Sequence, residues 1–347
     1  MIRTLVAGLG NMGRSHALAY HRDPAFQIVG LVNRSTPELD PALAGYEVTA
    51  DFHAALARLK PELVSIATYS DSHADFAVAA MEAGAHVFVE KPLATTVADA
   101  RRVADCAART GRKVVVGYIL RHHPSWQRLI AEARGLGGPY VFRLNLNQQS
   151  KGPTWEVHKA LMRTTPPIVD CGVHYVDVML QIAGTEAVEV RGMGLRLSDE
   201  IAPEMYNYGH FQVLFEDGSL GWYEAGWGPM MSDSAFFVKD VVSPNGAVSI
   251  RMPESARSDD IDTHTRTSML RLHRVGAEDR DISMADEPGH QELCEREAAF
   301  VARAITEDLD LSRHMREAVQ SLAICLAADE SVKTGRPISL KEAPWAP

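Results

Sequence analysis

Short apolar runs alternate with helical patterns through the first third of the chain. The predicted strands cover residues 2–7, 27–33, 63–68, 86–90 and 113–117. The predicted helices cover residues 14–20, 75–83 and 99–109. The runs at 2–7 and 63–68 are almost continuously apolar, as expected of parallel strands that are covered on both faces. Strands that alternate with helices in this way predict an α/β fold with a doubly wound parallel sheet.

The pattern changes after this part of the chain, where pairs of strands replace the alternation. Asp217-Gly218 and Pro244-Asn245-Gly246 are turn sequences between apolar runs, so each predicts a β-hairpin. The predicted strands of this part cover residues 139–148, 205–215, 219–225, 236–240 and 247–250. The predicted helices cover residues 290–305 and 313–333.

The length of the chain, 347 residues, exceeds what one ordinary hydrophobic core supports. We therefore predict two domains, an α/β domain over residues 1–120 and an α+β domain over residues 121–347. The helices at about 290–333 are expected to pack back toward the first domain.

A glycine-rich turn, Gly8-Leu9-Gly10-Asn11-Met12-Gly13, directly follows the first strand and opens the first helix. Gly8 suits a tight turn, Gly10 allows backbone N–H groups to approach a pyrophosphate, and Gly13 allows close packing of helix on strand. The N-terminus of the helix adds donors and the positive end of a dipole. The turn therefore predicts dinucleotide binding, and a purely structural strand–helix turn is the alternative.

The end of the second strand predicts which dinucleotide binds. This fold normally places an acidic residue there for the adenosine ribose, whereas this chain has Asn33-Arg34-Ser35. A carboxylate would repel a 2′-phosphate, and the Arg34 guanidinium suits a bidentate contact with one. We predict NADP in preference to NAD. The alternative is that Arg34 is a solvated charge or stacks on adenine, and either cofactor is accepted.

Further polar residues follow the predicted strands. Ligands of doubly wound sheets lie beyond the carboxyl ends of the strands, so these residues share one rim with the glycine-rich turn. They are Asn33, Thr68, Glu90, Lys91 and Tyr118.

Motifs spread over nearly the whole chain resemble those of one known family. They are His16 after the glycine-rich turn, Ala67-Thr68 with His73, Glu90-Lys91-Pro92, Gly117 with Arg121 and Pro124, Asp170-Cys171-Gly172-Val173-His174-Tyr175-Val176-Asp177, and the tail from Ser331 to Gly335-Arg336-Pro337-Ile338. The sequence thereby resembles the glucose–fructose oxidoreductase/inositol dehydrogenase (Gfo/Idh/MocA) family. Two positions depart from the family's usual pattern, Tyr69-Ser70 in place of Pro-Asn and Asn33 in place of Asp.

The resemblance implies a Rossmann domain, a second domain with a large open and mostly antiparallel sheet, and NAD(P)-dependent hydride transfer on a sugar, cyclitol or related polyol. It implies that Lys91, Asp170 and His174 are catalytic. The predicted cofactor site then comprises Gly8, Gly10, Asn11, Met12, Gly13, Asn33, Arg34, Ser35, Thr68, His73, Glu90 and Lys91.

The chemistry of hydride transfer independently favours the same three residues. An acid/base must reach the substrate oxygen, and a second group must stabilise charge there. Asp170 and His174 are four residues apart, so on one helix they would share a face. Histidine exchanges protons near neutral pH. Whether His174 or Lys91 accepts the proton stays open.

Other polar residues of the second domain are candidates for substrate contacts, namely Arg121, Asn147 and His158. The segment 151–165, which is predicted to be a polar loop with a short helix and contains His158, is either a cover for the substrate or a solvated connection. A nucleophilic pair of Cys171 and His174, or a metal held by Asp170, His174 and His122, has no supporting spacing, so we predict no metal site.

Composition narrows the class of partner. The formal net charge of −10 argues against nucleic acid or an anionic membrane surface as a partner. Four scattered cysteines and the lack of a leader sequence favour a reducing cytoplasm. An open sheet should not leave a large apolar face in water, so a homodimer or homotetramer is expected. Two other functions stay open: transient oxidation in a lyase or glycosidase reaction, and a non-catalytic dinucleotide sensor.

Overall fold

The computed structural model describes residues 1–233, 238–252, 257–258 and 267–346. By their contacts the residues form two compact units. The first unit comprises Met1–Ile119 and Gln291–Val319, and the second comprises Leu120–His290 and Gln320–Pro347.

The first unit is built on a six-stranded parallel sheet in the order β3-β2-β1-β4-β5-β6. Its strands are β1 Ile2–Ala7, β2 Phe26–Val32, β3 Val48–Thr49, β4 Leu63–Ile66, β5 His86–Val89 and β6 Val114–Val116. Its first four helices are α1 Asn11–Arg22, α2 Phe52–Leu59, α3 His73–Glu82 and α4 Val97–Thr110. The strand order reverses between β1 and β4, which confirms the predicted doubly wound sheet and places the ligand crevice at their carboxyl ends.

Local chemistry explains where these helices begin and end. Asp51 and Thr96 accept hydrogen bonds from backbone N–H groups three residues ahead and so cap α2 and α4. Gly111 ends α4 in the left-handed conformation that glycine adopts at low cost. The later helix α9, His290–Thr306, belongs to the same unit and buries Ala298 and Val301 in one core with α1.

The second unit is built on a nine-stranded sheet in the order β14-β13-β12-β11-β7-β10-β9-β8-β15. Its strands are β7 Val141–Gln149, β8 Ala187–Leu195, β9 Tyr208–Phe215, β10 Leu220–Gly228, β11 Lys239–Ser243, β12 Gly246–Arg251, β13 Met269–Arg274, β14 Arg280–Ser283 and β15 Ile338–Ser339. The pair β7–β10 is parallel and the other described pairs are antiparallel. The prediction of a large, mostly antiparallel sheet is confirmed.

Two helices of the second unit carry the predicted catalytic motif, α7 Pro167–Asp170 and α8 Gly172–Ala183. The unit also contains α5 Pro124–Leu136 and α6 Gly152–Leu161, and α10 Ser312–Thr334 begins in the first unit. Within the described residues no helix combines the length and the apolar character that crossing a bilayer requires.

Three details differ from the sequence prediction. The strand predicted at 236–240 starts at Lys239, and residues 236–237 lie outside the described part of the chain. The segment 151–165 contains the predicted helix, but the helix, α6, occupies most of the segment, which Pro153 at its first turn favours. Asp170 and His174 do not share one helix, because α7 ends at Asp170 and α8 begins at Gly172.

Candidate active site

The glycine-rich turn adopts a backbone that two of its glycines make possible. Gly8 has a φ of +89°, and a Cβ atom on it would lie 2.3 Å from the carbonyl oxygen of Ala67. A Cβ atom on Gly13 would lie 2.0 Å from the carbonyl oxygen of Gly8. Gly10, in contrast, faces open space, with no atom within 4 Å of an added Cβ among the described residues. The turn thus packs tightly against the sheet at Gly8 and Gly13 and leaves its Gly10 side open for a ligand.

The N-terminus of α1 has the chemistry that a pyrophosphate requires. Its N-cap residue, Gly10, offers no side-chain hydrogen bond to the first turn, and no acidic residue lies in that turn. The backbone N–H groups and the positive end of the helix dipole therefore remain available to an anion. Together with the open face of Gly10, this arrangement fits the diphosphate of a dinucleotide.

Asn33 braces the glycine-rich turn from the neighbouring strand end. Its Oδ1 accepts a hydrogen bond from the N–H of Leu9 at 3.0 Å, and its Nδ2 donates to the carbonyl of Ser35 at 2.8 Å. Arg34 is exposed, and its guanidinium carbon lies 5.8 Å from the ring centroid of Tyr69. The amide of Asn33 thus has a structural role that the sequence did not reveal, while the Arg34 cation stays at the surface.

A buried hydrogen bond to His16 anchors the Glu90-Lys91 segment at the end of β5. Glu90 Oε1 lies 2.6 Å from Nε2 of His16, on α1, and Glu90 Oε2 accepts the backbone N–H of Lys91 at 3.1 Å. Gly117 leaves room for the carboxylate, since a Cβ atom there would lie 3.2 Å from Glu90 Oε1. Lys91 itself is half-buried and follows directly from this anchor.

His73 joins the loops that follow β4 and β5. Its Nδ1 lies 2.8 Å from the carbonyl oxygen of Pro92, and its Nε2 lies 3.1 Å from that of Thr68. A neutral ring donates to one of the two carbonyls at a time. Burial lowers the pKa of His73, although both carbonyl contacts act in the opposite direction. The ring therefore ties Thr68 to the segment that carries Lys91.

Asp170 and His174 lie close together in the second unit, on either side of the break between α7 and α8. Asp170 is buried, and its Oδ2 accepts from the thiol of Cys171 at 3.8 Å. His174 is half-buried in the first turn of α8, and its backbone N–H donates to the carbonyl of Cys171 at 3.2 Å. Cys171 thus contacts both residues and is a buried linker in this motif.

Arg121 has a partner that the sequence did not reveal. Its Nε donates to Oδ2 of Asp177 at 2.9 Å, its Nη2 donates to Oδ1, and Gln181 also donates to this carboxylate at 2.9 Å. Asp177 is the last residue of the Asp170–Asp177 motif, and its side chain is fully buried. Motif position could have suggested Asp177, but its pairing with Arg121 depends on the packing of α8.

The other two candidates for substrate contacts lie near β10. Nδ2 of Asn147 donates to Oε1 of Glu224 at 2.8 Å. The ring of His158 stacks on Trp227, with centroids 4.2 Å apart and planes 12° apart. The predicted cofactor residues all belong to the first unit, as does Lys91, whereas Asp170 and His174 belong to the second. That Lys91 acts together with those two residues stays a prediction.

Comparison with known proteins places the chain in a family. Residues 2–118 match the model described as "Oxidoreductase family, NAD-binding Rossmann fold", and residues 127–237 match the "GFO/IDH/MocA C-terminal domain". An oxidoreductase domain protein from Kribbella flavida has a similar fold, with a TM-score of 0.81 and 23% identity over 98% of this chain and 99% of that one.

Two curated relatives share part of the sequence. Inositol 2-dehydrogenase of Salmonella typhimurium is 28% identical over 182 residues, which are 50% of this chain and 52% of that protein. UDP-N-acetylglucosamine 3-dehydrogenase of Acidithiobacillus ferrooxidans is 28% identical over 196 residues, or 56% and 58%. The chain spans about half the length of the curated relatives it matches. The two family models together match about two thirds of the chain, which shows that it belongs to the Gfo/Idh/MocA oxidoreductase family.

Proposed function

We propose that this protein is an NAD(P)-dependent oxidoreductase that moves hydride between the nicotinamide and a CH–OH or carbonyl carbon of a sugar, cyclitol or related polyol. The observation that carries the proposal is the arrangement at the carboxyl edge of the first sheet. There an anion-binding helix terminus lies on the same edge as the anchored Glu90-Lys91 segment. The relatives named inositol 2-dehydrogenase and UDP-N-acetylglucosamine 3-dehydrogenase support the substrate class.

The proposed chemistry assigns one role to each of three residues. When bound, the dinucleotide supplies a nicotinamide ring that takes up or releases hydride. In alcohol oxidation His174 accepts the hydroxyl proton, Lys91 donates a hydrogen bond to the same oxygen, and Asp170 orients the pair. The reverse assignment, with Lys91 as the base and His174 as the orienting group, uses the same residues.

We further propose that Arg121, Asn147 and His158 contact the substrate. The Asp177 carboxylate holds Arg121 in a fixed orientation, so its guanidinium would act as a rigid donor. Stacking on Trp227 similarly fixes His158.

The experiment that tests this function is a substrate panel. The protein is mixed with NADP⁺ or NAD⁺ and with inositols, free sugars, nucleotide sugars and keto-sugars. Thermal shift first selects the compounds that bind, and the formation of reduced nicotinamide is then followed for each. Turnover of at least one polyol or sugar is expected, and dinucleotide binding without turnover of any compound would contradict the proposal.

The cofactor is proposed to be NADP(H) rather than NAD(H), because Arg34 is exposed and no acidic residue lies at 33–35. Arg34→Ala should weaken NADP(H) binding by about 10–100-fold and leave NAD(H) binding nearly unchanged, since a charge-assisted contact is worth about 1.5–3 kcal/mol. Calorimetric titration of both dinucleotides measures the two affinities. Arg58→Ala, which removes an exposed arginine paired with Glu47, is the control. Tenfold tighter NAD(H) binding by the unmodified protein would reject the preference.

We propose a homodimer or homotetramer that uses the exposed face of the second sheet. Leu220 lies beside Leu214 on one neighbouring strand and beside Val141 on the other. These three side chains are 37–42% exposed and form an apolar row. Light scattering over a wide concentration range should give at least twice the monomer mass, and Leu220→Glu should lower it. A monomer mass at every concentration would refute the proposal.

A cytoplasmic location is proposed on the state of the cysteines. All four are buried thiols that form no disulfide within the described residues. A reducing compartment such as the cytoplasm preserves free thiols. Cell fractionation tests the location, and recovery of the protein outside the cytoplasmic fraction would contradict it.

A further inference from the structure

A buried carboxyl group lies close to His16, the partner of Glu90. Glu297, on α9, is 1% exposed, and neither of its carboxyl oxygens has a hydrogen-bond partner among the described residues. The titratable groups around it are Glu90 at the end of β5, His16 and Tyr20 on α1, and Cys294 and Glu295 on α9. This cluster lies entirely within the first unit.

The cluster contains one imidazole, that of His16, and two buried carboxyl groups, those of Glu90 and Glu297. His16 Nε2 is 2.6 Å from Glu90, so the imidazole is already engaged by that carboxylate. The charged group that acts on Glu297 is Glu90 itself, which carries a like charge. An ionised Glu297 would therefore be a buried carboxylate next to Glu90, with no cation of its own among the described residues. Such a charge is strongly unfavourable in the core, so the protonated form is favoured.

The neighbouring groups respond to the same surroundings. Burial, and then repulsion by Glu90, raises the pKa of Glu297 well above its ordinary value. Burial also raises the pKa of Tyr20 and of the Cys294 thiol, and Glu297 adds to both shifts. Each of these three groups is therefore stabilised in its uncharged form.

We propose that Glu297 is held as a neutral carboxylic acid and is a positioning residue for the Glu90-Lys91 segment. Because Glu297 keeps its proton, no second negative charge repels the Glu90 carboxylate beside His16. Glu90 therefore remains in place to accept the backbone N–H of Lys91. Ionisation of Glu297 would set two carboxylates against each other in the core and loosen this anchor. The part concerning Lys91 rests on the proposed function, whereas the proton on Glu297 does not.

A metal ion is the competing explanation of the cluster. His16, Cys294 and Glu297 offer ligand atoms within 4.8 Å of one another. The 2.6 Å contact between His16 and Glu90 is a hydrogen-bond distance. It is shorter than the roughly 3.3 Å between neighbouring ligands of a tetrahedral zinc ion. His16 Nε2 and Glu90 Oε1 are therefore hydrogen-bonded and not joined through an ion, and the metal content of the purified protein decides between a proton and an ion at Glu297.

The unfolding equilibrium constant as a function of pH tests the proton directly. In the unfolded chain Glu297 titrates near its ordinary pKa of 4.5, whereas the folded protein keeps the proton to higher pH. Between these two pKa values the folded state binds more protons than the unfolded chain, so stability falls as pH rises. Glu297→Gln removes this term. The ratio of unfolding constants, wild type over Glu297→Gln, should rise by up to tenfold per pH unit above the ordinary pKa, for as long as the folded protein keeps the proton.

A matched substitution controls this measurement. Glu292, on the same helix, is exposed and paired with Arg296, so Glu292→Gln should give a nearly constant ratio over the same pH range. A constant ratio for Glu297→Gln would overturn the proposal. The wild-type protein alone should also show a protonated-carboxyl band in its infrared spectrum at pH 7, and absence of that band would overturn it even if the variant fails to fold. A stoichiometric metal ion in the purified protein would do the same.

The positioning role is tested by the pH profile of turnover. With a substrate from the panel, kcat should decline as Glu297 ionises on the alkaline side, and Glu297→Gln should extend activity to higher pH. Glu292→Gln should leave the profile unchanged. A profile that Glu297→Gln does not move would overturn the positioning role. If no compound of the panel is turned over, the proposed function fails by itself, and the unfolding ratio still decides whether Glu297 keeps its proton.

Discussion

Replacing Lys91 or His174 with alanine should each lower turnover by about 10²–10⁴-fold, the usual contribution of a general acid or base. Dinucleotide affinity should change by less than about fivefold, because the glycine-rich turn and the N-terminus of α1 bind the phosphates. Turnover with a substrate from the panel and cofactor titration must be measured on the same preparations. A large loss in turnover with an intact cofactor site would assign both residues to the chemical step.

The double variant sharpens this prediction. Residues that act as one unit are strongly non-additive, so Lys91→Ala with His174→Ala should cost much less than the product of the two single losses. Lys341→Ala and His273→Ala remove exposed, ion-paired side chains of the second unit and are the controls. Near-normal turnover of His174→Ala would show that the site is misplaced. Loss of cofactor affinity as the main effect of Lys91→Ala would restrict that residue to binding.

Replacing Gly13 with alanine should lower both the free energy of unfolding and dinucleotide affinity. The added Cβ would lie 2.0 Å from the carbonyl oxygen of Gly8, and a backbone atom cannot yield as a flexible side chain does. The strand–helix turn must therefore shift, at a cost of about 3 kcal/mol, the upper end of the usual range for overpacking. Urea unfolding and calorimetric titration measure the two effects.

Gly10→Ala is the matched comparison at the same turn. Its Cβ would meet no described atom within 4 Å, so the free energy of unfolding should change by about 1 kcal/mol or less. Dinucleotide affinity should still fall by roughly tenfold or more, because the methyl group occupies the space through which the pyrophosphate approaches the backbone. Equal stability losses in the two variants would contradict the assignment of distinct roles to Gly10 and Gly13.

The first sheet could be predicted because its signals are local. The strand β1, the glycine-rich turn and α1 are contiguous in sequence, and the atom that requires glycine at position 13 is the carbonyl oxygen of Gly8 in the same turn. The hairpin at Asp217-Gly218 is equally local and joins β9 to β10 as predicted. The break at Cys171 was not predicted, because an apolar helical pattern continues across it.

Contacts between distant segments account for what the sequence could not show. The pairing of Arg121 with Asp177 and the contacts of His73 with two carbonyls join residues that only the fold brings together. Lys239 begins a strand like an ordinary surface lysine, yet burial lowers its pKa to about 7. Glu297 likewise is one of several charged residues of an amphipathic helix, yet it is buried. The sequence shows that these side chains are titratable, but it does not show that they are buried, and burial shifts their pKa values.

The central claim is net hydride transfer, and its most direct test is the stoichiometry of the reaction. A substrate carrying deuterium on the carbinol carbon is incubated with NADP⁺ and the protein. The oxidised product and the reduced dinucleotide are then counted by mass spectrometry. One deuterated, reduced dinucleotide released for each molecule of substrate oxidised is the predicted result. Product that accumulates without a matching amount of reduced dinucleotide would contradict the claim and show that the oxidation is only transient.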